Sequence, residues 1–131
     1  MGETILVVDD NESATRMTAR MLSGLGYEVM TALDGPSALA QIAGRPPDCI
    51  LLDIMMPSKS GLEVLTRVKQ DPATKHIPVI MLTAKSQDED VLTGYKEGAE
   101  YYITKPCTSR DLVYGIRLVL GKQRPLAPPP A

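Results

Sequence analysis

Five positions in this chain place a chemically capable side chain directly after an apolar run. Asp9 and Asp10 follow Thr4–Val8, Asp53 follows Asp48–Leu52, Thr83 follows Pro78–Leu82, and Lys105 follows Tyr101–Thr104. Three carboxylates brought into one pocket repel one another, and a hard divalent cation relieves that repulsion. An oxygen-only ligand set with open positions suits Mg²⁺. A cation beside a lysine makes an anion site, and a threonine hydroxyl can donate a hydrogen bond into it. A phosphoryl group would meet all three together. One of the carboxylates, relieved of repulsion, can then act as a nucleophile toward phosphorus and form an aspartyl phosphate. Asp53, expected in mid-sheet, is the best placed for that role. Each residue also has a plain structural reading. Asp9-Asp10-Asn11 reads equally as a helix cap, Thr83-Ala84 as a loop and Lys105 as a solvated charge. What favours chemistry is that all of them stand at the carboxyl ends of different runs, where open α/β sheets bind their ligands.

The runs that deliver these residues alternate with helical patterns. Thr4–Val8 is continuous and rich in β-branched residues, as expected of a strand buried on both faces. Tyr27–Ala32, Asp48–Leu52, Pro78–Leu82 and Tyr101–Thr104 supply four more strands, and Pro78 is tolerated at a first strand position. Between them, Ala14, Met17, Met21, Leu22 and Leu25 fall on one predicted helix face, and Gly24 and Gly26 end that helix. Asp34-Gly35-Pro36 opens a second helix with Ala38, Leu39 and Ile42 inward, and Gly61–Gln70 forms a third with Leu62, Leu65 and Val68 inward. Gln87–Lys96 is predicted as a fourth, with Val91, Leu92 and Tyr95 on its apolar face. Ser109 is the expected cap of a fifth, which carries Leu112, Val113, Ile116, Val119 and Leu120 inward. Five βα units imply a parallel sheet covered on both faces, and they are too few for an eight-fold barrel. The predicted class is α/β, an open doubly wound five-stranded parallel sheet.

Composition narrows the function. The chain has 131 residues and a net charge of −2, without the basic excess of a nucleic-acid binder. Its aromatics are five Tyr with no Phe or Trp, too few for a base-stacking platform. Two cysteines, Cys49 and Cys107, do not make a disulfide scaffold and fit a reducing compartment. No stretch approaches a membrane span, and the first residues show no signal pattern, so a cytoplasmic location is expected.

These residues together resemble the receiver domains of bacterial two-component response regulators. The resemblance rests on Ile5–Asp10, Leu51–Pro57, Gly61-Leu62-Glu63, Leu82-Thr83-Ala84 and Tyr102–Pro106, and it spans residues 4 to about 121. It implies a flavodoxin-like (βα)5 fold with strand order 2-1-3-4-5, an order that periodicity alone does not contain. It implies that Asp53 accepts a phosphoryl group from the phosphohistidine of a sensor histidine kinase or phosphotransfer protein. By the same resemblance Asp10 ligates Mg²⁺ directly, Asp9 acts mainly through water, and Asp53 and the backbone carbonyl of Met55 complete the protein ligands. Lys105 pairs with the phosphoryl oxygens and Thr83 moves to hydrogen-bond them. Tyr102 swings as Thr83 moves, which rearranges the surface of the fourth helix, fifth strand and fifth helix. That surface is an expected homodimer or partner face. Two departures stand out: Cys107 replaces a common Phe, and Tyr101 replaces a common Asp. Adjacent tyrosines on a strand point to opposite faces, so only one can be the switch. Met55 and Lys85 flank the path of an attacking water in this family, and their bulk implies slow self-dephosphorylation.

The expected function is therefore a phosphorylation-controlled receiver module, not an enzyme in the usual sense, with no membrane contact and no direct nucleic-acid contact by this domain. A small phosphohydrolase with an Asp nucleophile is the alternative; it would want Asp where Asn11 stands, and a cap insertion. A flavodoxin-like cofactor binder would need a Ser/Thr/Gly phosphate loop where Asp9-Asp10 lie, and a receiver signalling without phosphate sits poorly with a complete site. Residues 1–121 are read as the receiver domain. Lys122–Ala131, with Pro125 and Pro128–Pro130, are read as a Pro-rich tail or as the first stretch of a linker.

Overall fold

A computed structural model describes residues 2–53, 60–84, 98–105 and 108–121, without the side chains of Ser60, Thr83, Ala84 and Lys105. The predicted helix over 87–96, the Met55 loop, Lys85, the Lys105–Pro106 peptide, Cys107 and the tail from 122 lie outside the described residues. The elements run β1 (Thr4–Val8), α1 (Glu12–Gly24), β2 (Glu28–Ala32), α2 (Gly35–Gly44), β3 (Cys49–Asp53), α3 (Ser60–Gln70), β4 (Val79–Ala84), β5 (Tyr101–Lys105) and a C-terminal helix, Ser109–Leu120. The sheet has the order β2-β1-β3-β4-β5, and every pairing is parallel. The α/β doubly wound fold expected from the sequence is the one observed.

Two-residue periodicity explains how one sheet feeds two cores. Leu6, Val8, Ile50, Leu52, Val79 and Met81 enter one buried cluster, with Ala38 and Ile42 of α2 and Val64, Leu65 and Val68 of α3. The intervening Ile5, Val7, Cys49, Leu51, Ile80 and Leu82 enter the other, with Leu22 of α1 and Leu112, Ile116 and Val119 of the C-terminal helix. Successive side chains of a strand point to opposite faces, so a strand buried on both sides must be apolar throughout. β1 and β3 are buried at every position, and these are the strands that carry Asp9, Asp10 and Asp53.

Two local readings are corrected. Met17 and Leu25 were expected inward, but they are 73% and 56% exposed. The buried stripe of α1 instead runs through Thr15 and Leu22, with Thr18 and Ala19 half-buried between them. Leu22 is buried and Met21 half-buried as expected, but two of those four positions are threonines, so a count of apolar residues alone rotates the stripe toward Met17 and Leu25. The C-terminal helix is capped by Thr108, not Ser109. The Thr108 hydroxyl accepts from the Asp111 amide at 3.1 Å, and the Asp111 carboxylate accepts from the Thr108 amide at 3.0 Å. This reciprocal capping box satisfies two amides at once, and only Thr108 has an acid three residues on.

Candidate functional site

The β1–α1 turn is where the first two carboxylates are set. The Asp9 amide continues the strand ladder by donating to the Ala32 carbonyl of β2 at 3.1 Å. The Asp9 carboxylate accepts from the Asn11 amide at 3.0 Å. Asn11, in extended backbone geometry, then caps α1 by accepting from the Ala14 amide at 3.0 Å. The cap reading therefore belongs to Asn11, and neither Asp9 nor Asp10 supplies the capping side chain. The hydroxyl of Thr15 lies 3.0 Å from the Asp9 carbonyl oxygen, a contact that sequence reasoning missed. Its signal was a polar residue in the helix stripe spaced at 15, 18, 19 and 22.

Asp53 ends β3, the central strand of the sheet, and pairs in register with Leu82 of β4. Asp9 and Asp53 are 5% and 3% exposed, whereas Asp10 is exposed. One carboxylate oxygen from each of Asp9, Asp10 and Asp53 lies within 4.8 Å of the others. An octahedral Mg²⁺ at about 2.0–2.1 Å from each ligand spaces its oxygens by about 2.9–4.2 Å. Three oxygen donors gathered on that scale, one of them facing water, fit such an ion after a small closure. The donors are hard and carry no nitrogen or sulfur, which also suits it.

The remaining predicted residues take their places by backbone register. Thr83 pairs with Thr104, and Ala84 with Lys105, so the backbones of Thr83 and Lys105 lie at the carboxyl ends of β4 and β5, with β4 between Lys105 and Asp53. The side chains of Thr83 and Lys105, and Met55 as a whole, lie outside the described residues. The two tyrosines do go to opposite faces. Tyr102 packs half-buried against the α2/α3 cluster. Tyr101 packs against the other cluster and meets Tyr114 edge-on, with ring centroids 6.4 Å apart. Gly115 makes room for that ring, because a Cβ there would come within 3.1 Å of it. Burial, and then the neighbouring Tyr114 and Asp111, push the Tyr101 hydroxyl above its ordinary pKa. A cavity of about 400 Å³ lined by Leu39, Ile42, Arg67 and Asp71 lies between α2 and α3, away from the carboxylates.

An open parallel α/β sheet with three acids at its carboxyl edge defines a class, and comparison with known proteins names the family. Residues 5–117 match the response regulator receiver domain, so the chain belongs to that family. It is 44% identical over 125 residues to the phosphate regulon transcriptional regulatory protein PhoB of Pseudomonas aeruginosa, covering 95% of this chain and 55% of that protein. It is 47% identical over 106 residues to the response regulator PleD of Caulobacter vibrioides, covering 81% of this chain and 23% of that protein. The chain thus spans about half or less of the length of these relatives. Among solved structures, the chemotaxis protein CheY4 of Vibrio cholerae superposes with a TM-score of 0.86 at 33% identity, covering 92% of this chain and all of that one (100%). A CheY-like receiver domain protein from Methanospirillum hungatei gives 0.87 at 31% identity, covering 94% of this chain and 97% of that one. The chain is a receiver domain of two-component signalling, a signalling module, and the hydrolase alternative is not favoured. Among the described residues, no helix is long and apolar enough to cross a membrane.

Proposed function

We propose that this receiver is switched by phosphorylation of Asp53. The observation that carries the reading is the gathering of Asp9, Asp10 and Asp53 within 4.8 Å at the carboxyl edge of a receiver fold. Asp9, Asp10, Asp53 and the Met55 carbonyl would hold Mg²⁺. The ion, when bound, supplies neutralising charge for the phosphoryl oxygens. A carboxylate oxygen of Asp53 attacks phosphorus, an O–P bond forms, and the P–N bond to the donor imidazole breaks with its electron pair leaving on nitrogen. Burial of Asp53 keeps bulk water away from the resulting acyl phosphate. Lys105 pairs with the phosphoryl oxygens, and Thr83 hydrogen-bonds them after the transfer. Tyr102, half-buried on the α2/α3 side, follows Thr83 and changes the face around β5, which would serve a homodimer or a target protein. The donor is a sensor histidine kinase or phosphotransfer protein in the cytoplasm. Residues 1–121 form the module, and 122–131 are the tail or linker.

The test is intact mass after incubation with Mg²⁺ and a small phosphodonor such as acetyl phosphate. The wild type should gain about 80 Da, and Asp53→Asn should gain nothing. A wild type that stays unmodified while binding Mg²⁺ overturns the reading. The lifetime of the adduct also tests the expectation from Met55 and Lys85: minutes or longer agrees with slow dephosphorylation, and seconds does not.

A further inference from the structure

Thr15 is 3% exposed in the buried stripe of α1, yet it carries a hydroxyl. That hydroxyl lies 2.9 Å from the Asn11 carbonyl oxygen of the preceding turn, and its single proton is shared between this acceptor and a second. It also lies 3.0 Å from the carbonyl oxygen of Asp9, six residues back and outside the helix. The contact ties the end of β1 to the first turn of α1. The segment Asp9–Asn11 carries two of the three clustered carboxylates. It is held by the Asp9 amide on Ala32 at one side and by the Thr15 hydroxyl at the other.

We propose that Thr15 is a positioning residue for the cation site: by holding the Asp9 carbonyl it keeps Asp9 and Asp10 within ion-binding distance of Asp53. The inference rests on reading the acidic cluster as a Mg²⁺ site. The physical need is clear. Three like charges separate if the backbone lets them, and a turn that yields must be drawn back together each time the ion binds. A turn already fixed avoids that cost, and partners behind metal ligands commonly change affinity by about 10–100-fold. Thr15 acts through a backbone carbonyl, one step further removed, so about tenfold is expected.

The experiment compares wild type, Thr15→Val and Thr15→Ser in the full chain, with Mg²⁺ alone as the ligand and calorimetry as the readout. Valine keeps the branched shape and loses the hydroxyl; serine keeps the hydroxyl. The expected result is about tenfold weaker Mg²⁺ binding for valine and near-wild-type binding for serine. Equal binding by valine and wild type overturns the inference and leaves the metal site standing. Equal losses in valine and serine also overturn it, since packing would then be the cause. A wild type that binds no Mg²⁺ removes the metal reading and the inference with it. Hydrogen exchange at the Asn11 amide in metal-free buffer gives a second readout. It should quicken in valine only, and unchanged protection counts against the proposal. Should valine not fold, Thr15→Ala against Thr15→Ser makes the same comparison.

Discussion

The two ends of the sheet handle buried charge in opposite ways. At the carboxyl edge, Asp9, Asp10 and Asp53 bring like charges within 4.8 Å. At the amino edge, Lys69 of α3 reaches Glu100, just before β5, with Nζ 2.8 Å from the carboxylate. The same ammonium donates to the carbonyls of Ile77 at 2.7 Å and Lys75 at 3.1 Å, and Glu100 accepts from the Val79 amide at 2.8 Å. Gly98 lets this brace close: its φ is +108°, and a Cβ there would meet the Lys69 stem at 3.0 Å. The brace fixes where β4 and β5 begin, and it is complete within the chain. The acidic cluster, by contrast, gathers like charges in an arrangement compatible with a cation from outside. One end of the sheet therefore neutralises its charge with partners from the chain, and the other collects charge of one sign.

Substitutions at the two ends should separate these roles. The largest effect is expected at Asp53→Asn, which should abolish phosphoryl uptake while leaving the thermal midpoint unchanged or raised. A midpoint drop of several degrees there would mean that the acidic edge also holds the fold together. Next in size is Lys69→Met. The side chains of Lys69 and Glu100 are only 10% and 24% exposed, so the orphaned Glu100 loses a largely buried partner. Unfolding in denaturant should show a loss of about 2–4 kcal/mol, with phosphoryl uptake retained. A loss under about 0.5 kcal/mol would place this pair with ordinary surface ion pairs and break the contrast. Third, Mg²⁺ at about 100 times its dissociation constant should stabilise the wild type by about 2.7 kcal/mol. In Asp10→Asn that gain should shrink, and the metal-free variant should be more stable than wild type by of order 1 kcal/mol, because a like charge is gone. A fourth and smaller effect belongs to the turn itself: Asn11→Ala removes the α1 cap and should cost about 1 kcal/mol by the same measurement. Smallest is the behaviour of Cys49. Burial, and then the nearby Glu100, push its thiol far above its ordinary pKa, so peptide mapping after thiol labelling of the native protein should find it unmodified.

Much of this contrast was legible at one end only. Asp9, Asp10 and Asp53 were readable because each directly follows an apolar strand, and strand ends are marked locally in a sequence. The Lys69–Glu100 brace was not, since its partners lie 31 residues apart and neither stands in a motif. The stripe of α1 was misjudged by residue type: Thr15 and Thr18 pack inward, and Met17 faces solvent. The Thr108 cap is marked by Asp111 three residues on, but an adjacent serine competes for the same position. The opposite facing of Tyr101 and Tyr102 followed from strand alternation alone.

The parallel α/β class, the strands and the residue types waiting at their ends can be read along the chain alone. These follow from hydrophobic periodicity and turn chemistry, which are properties of neighbouring residues. It takes the packed fold to show that three acids meet within 4.8 Å, that Thr15 turns a hydroxyl toward the acidic turn, and that Lys69 closes on Glu100. The acid cluster and the Lys69–Glu100 pair are distances between segments far apart in the chain, and the Thr15 contact, though only six residues long, follows from how α1 seats on the sheet. They depend on strand order, register and the packing of helices onto the sheet, and no local pattern encodes them.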